Sequence, residues 1–129
     1  MKRCTVLSCL LVCLLVGEAK AQPAPVNTEV TIDSTKVDKP MVLGAGKITI
    51  GEKDTFSGVK LVLRHKLNAN VEIAGYINLS PAPSSGKSSS WDGRWPAVPS
   101  GDYTMRIEVR FIQGMDAKTV SAEKGITVP

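Results

Sequence analysis

Trp91, Arg94 and Trp95 are the side chains of this sequence whose types and spacing best suit recognition chemistry. Two indoles beside a guanidinium are the residue types that dominate interface hot spots, and an exposed indole can also stack on a sugar ring. A structural explanation stands beside the functional one: Trp91 plugs a core while Trp95 and Pro96 brace a loop. All three fall within residues 80–101, where the first eleven positions hold six serines together with proline and glycine. Such a composition reads as a long, flexible connection, and long loops on a rigid scaffold are common binding elements. Arg94, Trp95 and Trp91 are therefore the candidate binding residues.

The remaining reactive side chains form no catalytic constellation. His65 is the only histidine, and a transition-metal site built on it would need carboxylates alone to complete it. Asp92, Asp102 and Asp116 supply the oxygen atoms that calcium prefers, but their spacing matches no calcium loop, and turn capping explains them better. The serines include no G-x-S-x-G elbow. Residues 44–47, Gly-Ala-Gly-Lys, lack the spacing and the following helix of a phosphate-binding loop and read as a hairpin-like turn. Asn78-Leu79-Ser80 is a formal glycosylation sequon, discounted because Asn78 falls in an expected strand and Pro81 follows. The expectation is a non-enzyme with no metal and no cofactor.

The elements that position these groups are strands. Over residues 103–111 every odd position is apolar or aromatic and every even position polar, a period of two that sends alternate side chains to a core and to water. Residues 59–64 and 71–79 follow the same rule, the second with Val71, Ile73, Ile77 and Leu79 inward and Gly75 as a bend or bulge. Weaker strands are expected at 29–32, 47–50, 118–122 and 125–128, punctuated by glycine and proline. No stretch beyond the leader carries a helical stripe. About seven short strands in roughly 100 residues predict an all-β, immunoglobulin-like antiparallel β-sandwich.

Residues 70–104 also carry a resemblance. Trp91-Asp92-Gly93-Arg94, a short spacer, and then Val98-Pro99-Ser100-Gly101-Asp102-Tyr103-Thr104 resemble the signature of the immunoglobulin-like domain of bacterial flagellar hook-capping proteins and related exported modules. The spacer, Trp95-Pro96-Ala97, is shorter than that family's. What the resemblance implies is a fold rather than an activity: a large aromatic at a strand end covers the core, Asp-Gly makes a turn, and the later glycine permits a tight approach before Tyr103 enters the sheet. The flagellar function is not carried over.

The N-terminus addresses the chain. Met1-Lys2-Arg3 is followed by an almost wholly apolar run from Cys4 to Val16 and an A-x-A site ending at Ala21, which together read as a cleaved signal peptide over residues 1–21. The run is about 13 residues, short of the roughly 20 that a membrane-spanning helix requires. Residues 22–27 read as an extended leader, and residues 28–129 as the sandwich domain. Cys4, Cys9 and Cys13, the only cysteines, all lie in the signal peptide, so the exported domain is disulfide-free and depends on its apolar core. Removing the signal peptide lowers the formal charge from +4 to +2, leaving little reason to expect nucleic acid as a partner. The expected location is periplasmic or extracellular, with no transmembrane segment after processing. The leading expectation is a binding or structural module presenting the 80–101 loop to a protein partner. A carbohydrate-binding module using Trp95 is the alternative, and an inhibitor of an exported protease a more distant one.

Overall fold

The computed structural model describes residues 27–129, so the expected signal peptide over residues 1–21, with the three cysteines, and residues 22–26 lie outside the described residues. Among the described residues eight strands follow in chain order: β1 (Glu29–Asp38), β2 (Met41–Thr49), β3 (Asp54–His65), β4 (Glu72–Ala74), β5 (Tyr76–Ser80), β6 (Ser88–Trp95), β7 (Gly101–Gln113) and β8 (Asp116–Val128). They pair antiparallel in two sheets, in the orders β1-β2-β6-β5 and β4-β3-β7-β8. Eight strands in these orders make the immunoglobulin-like sandwich that the sequence pattern predicts, with one strand more than expected. A corner typical of that fold is present: Tyr103, near the start of β7, donates its hydroxyl to the Pro99 carbonyl oxygen at 2.9 Å.

The strand list departs from expectation in three places: residues 71–79 divide at Gly75, β6 forms inside the expected 80–101 loop, and the strands expected at 118–122 and 125–128 are the one strand β8. Residues 71–79 do not make one bent strand; β4 joins β3 in one sheet and β5 joins β6 in the other, so the chain crosses between sheets at this glycine. A side chain there would collide with the Trp95 ring, 2.6 Å from the Cβ position. Ile73, Ile77 and Leu79 pack on the core as expected. Val71 does not: it precedes β4, in the turn, and is exposed.

β7 follows its sequence pattern most closely. Tyr103, Met105, Ile107, Val109 and Phe111 are all buried, with partly or fully exposed polar residues between Tyr103 and Phe111. From β3 they meet Leu61 and Leu63, and from the opposite sheet Val42, Ile48, Trp91 and Trp95. Each such side chain stabilises the fold by about 1.5–3 kcal/mol relative to exposure.

One end of the sandwich is closed by polar groups instead. Thr28 donates to the Asp54 carboxylate at 2.6 Å and accepts from the Gly51 N–H at 2.9 Å. Gln113 donates to the other Asp54 oxygen at 3.1 Å, and the Ser85 hydroxyl donates to the Asp54 backbone carbonyl. Asp54 is buried, and these partners replace the water it loses.

Candidate functional site

The segment expected as one long loop contains a strand. β6 alternates along its length: Ser89, Trp91, Gly93 and Trp95 are buried, while Ser88, Ser90, Asp92 and Arg94 are exposed. Asp92-Gly93, expected as a turn, lies mid-strand opposite Gly44 and Ala45 of β2. Gly44-Ala45-Gly46-Lys47, also expected as a turn, lies mid-strand in β2. The physical reason for both differences is the same. An indole needs a bare backbone opposite it, so glycines normally read as turn markers serve here as space in the core.

Trp91 lies across Gly46 and donates its indole N–H to the Thr31 carbonyl oxygen of β1 at 2.9 Å. A Cβ on Gly46 would meet Thr31 O at 2.0 Å and the indole nitrogen at 2.7 Å. Trp95 reaches the opposite sheet, donating to the Ile73 carbonyl oxygen of β4 at 2.8 Å. Trp91 is 1 % exposed and Trp95 0 %. Both rings are core, with their polar handles satisfied by backbone. The expectation that Trp95 stacks on a sugar is thereby corrected, since no face of its ring reaches the surface.

Arg94 alone of the three candidates projects outward. Its guanidinium lies over the Tyr76 ring, 5.7 Å from the centroid. Strand register sets its neighbours on the outer face of the β1-β2-β6-β5 sheet: Lys36, Leu43, Arg94 and Tyr76 form one row across the four strands, and Ser34, Ala45, Asp92 and Asn78 the next. All of these except Tyr76 line a groove of about 570 Å³, and Tyr76 stands beside it under Arg94. That is within the range of roughly 300–1,000 Å³ usual for ligand sites. Among the described residues no ion pair joins Lys36, Asp92 or Arg94 to another side chain.

Of this set only Arg94 is among the candidate binding residues; Asp92 and Asn78, weighed above for other chemistry, and Tyr76 and Lys36 join it through the register. A signal for Tyr76 existed. Alternation with Ile77 and Leu79 inward places Tyr76 outward, and an outward aromatic that is 65 % exposed is uncommon enough to mark a surface.

The opposite outer face, on β4-β3-β7-β8, carries ion pairs, with Arg110 outside them. Glu72 meets Arg64 at 2.6 Å and Lys60 at 3.9 Å; Arg106 meets Glu108 at 2.7 Å and also contacts Glu123. The Arg64 hydrogen bond holds the Glu72 carboxyl below its ordinary value of 4.5. Glu108 and then Glu123 hold Arg106 further toward its protonated form.

The other chemical candidates are dispersed. His65 ends β3 with its ring edge-to-face on Tyr103, centroids 5.1 Å apart, and its Nδ1 accepts the Leu67 N–H at 3.1 Å. Asp92 is mid-strand in β6; Asp102 starts β7 and accepts from Thr127 at 2.8 Å; Asp116 starts the antiparallel neighbour β8 and so lies at the other end of that sheet. The three aspartates do not converge, and among the described residues no three His, Cys, Asp or Glu side chains gather in metal-binding geometry. No protein-family model, curated protein or solved structure matches this chain.

Proposed function

We propose that this protein is an exported, non-enzymatic binding module that engages a protein partner through the outer face of the β1-β2-β6-β5 sheet. The observation that carries the reading is the contrast between the groove on that face, whose charged side chains have no ionic partner among the described residues, and the face opposite, where Arg64, Glu72, Arg106, Glu108 and Glu123 are ion-paired. The outward side chains of β6 belong to residues 80–101, so the segment retains its place in the proposal as a strand face rather than as a loop. The likeness of residues 70–104 to the hook-capping immunoglobulin-like domain bears on the fold alone and brings no flagellar role.

A photo-crosslinking residue at Ser90, on the grooved face, and in a parallel chain at Ser121, on the paired face, tests this in the native exported fraction. The expected result is a discrete adduct from position 90 and none from 121. Equal adducts from both positions, or none from 90, would remove the proposal.

A further inference from the structure

We infer that the groove takes an extended peptide segment that presents one acidic side chain, its carboxylate seated over Leu43 between Lys36 and Arg94. This rests on the reading of that face given above and names the chemistry of the partner.

Three observations lead to it. The groove is concave, so a narrow, convex chain fits it where a second flat sheet does not. Its walls hold two cations, Lys36 and Arg94, against one carboxylate, Asp92, and the charge balance favours an anion. Lys36 and Arg94 flank Leu43 in one row, with backbones about 10 Å apart across two strand spacings, so both side chains can reach one carboxylate between them. Arg94 is also preset. Its stacking on Tyr76 restricts the guanidinium before any ligand arrives, which lowers the ordering cost of a charge-assisted hydrogen bond.

The same contact favours a peptide over a neutral glycan. A sugar would seek the open face of Tyr76, and the Arg94 guanidinium lies over that ring. The row spacing adds a sequence rule. Residues i and i+2 of an extended chain lie about 7 Å apart, which matches the distance between the Leu43 row and the Ala45 row. With the acidic residue over Leu43, the residue two positions away meets Ala45, Asp92 and Asn78, where another acid is repelled and a lysine is welcome. The recognised element is therefore an acidic and a basic residue separated by one position, read in either chain direction.

The test uses the processed protein and fluorescent, end-capped heptapeptides differing only at their central triplet: Glu-x-Lys, Gln-x-Lys and Glu-x-Glu. Anisotropy should show saturable binding of Glu-x-Lys that weakens as salt is raised, and binding of each other peptide at least ten-fold weaker. The Lys36→Gln, Arg94→Gln double variant should lose at least ten-fold for Glu-x-Lys while melting at the parent temperature. Asp92→Asn should narrow the gap between Glu-x-Lys and Glu-x-Glu. Equal binding of Gln-x-Lys, indifference to the double variant, absence of saturable Glu-x-Lys binding, or displacement of that peptide by neutral oligosaccharides would each overturn the inference. If the peptides fail while Ser90 still crosslinks a partner, the proposed peptide chemistry is wrong and the binding face stands; if both fail, both fall.

Discussion

The two outer faces of this sandwich are built on the same core from the same pattern of alternation, yet they treat charge oppositely. On β4-β3-β7-β8 several charged side chains pair, Arg64 with Glu72 and Arg106 with Glu123 across strands and Arg106 with Glu108 along β7. On β1-β2-β6-β5, Lys36, Asp92 and Arg94 line a groove without meeting one another. A face whose charges satisfy one another gains little from a partner. A face that leaves them free beside apolar surface has interaction energy to offer one.

The largest predicted effect tests whether the faces share one scaffold. Ile107 is fully buried at the centre of β7, and Ile107→Asp would place an unpaired carboxylate among Val109, Met105 and the indoles. Both faces should be lost together, with no cooperative thermal transition by circular dichroism. A soluble variant with a sharp melt would show that the inward face of β7 is misassigned. Next in size is Trp95→Ala, which removes the ring joining β6 of one sheet to β4 of the other and should destabilise by about 3–5 kcal/mol in urea unfolding. A loss below about 1 kcal/mol would mean that the faces are not coupled through this residue.

Ser89 supplies a change of opposite sign. Its hydroxyl is buried with no hydrogen-bond partner among the described residues, so Ser89→Ala should leave stability unchanged or raise it by up to about 1 kcal/mol. A clear loss would reveal a partner for that oxygen. A matched pair then compares the faces directly. Arg106→Ala breaks two ion pairs and should lose up to about 1 kcal/mol, whereas Arg94→Ala breaks none and should stay within about 0.5 kcal/mol of the parent. Reversal of that order would undo the distinction drawn between the two surfaces.

The smallest effect is a titration. Because Arg64 lowers the folded-state value of Glu72, the stabilisation from that pair is complete above pH 4.5 and disappears as pH falls through the lower folded value. Carbon-detected titration of the Glu72 carboxyl should give a midpoint below 4.5 that returns toward 4.5 in Arg64→Gln. A parent midpoint at or above 4.5 would contradict the pairing.

β7 was legible in the sequence because its alternation is chemically unambiguous: Met105, Ile107 and Val109 are apolar, Arg106, Glu108 and Arg110 charged. β6 alternates just as strictly, but its pattern is written in Ser89, Trp91, Gly93 and Trp95 against Ser90, Asp92 and Arg94. Serine and glycine are turn residues by local preference, so a period of two made from them passes for a loop. Trp91-x-Gly93-x-Trp95, two indoles separated by one inward glycine, was the signal that could have revealed the strand.

By itself, then, the sequence determined the all-β class, the immunoglobulin-like layering, the inward face of β7 and Gly75 as a point where the chain departs from a straight strand. Those follow from side-chain alternation and from backbone freedom, which are local properties. Only the tertiary structure decided that Trp91 and Trp95 are core, that Gly44, Gly46 and Gly93 are the hollows that admit large neighbours, and that Arg94 stands beside Tyr76 over a groove with Lys36. Each of those depends on which strand lies opposite which and in what register. That pairing is set by how two sheets fill the space between them, and no window of neighbouring residues contains it.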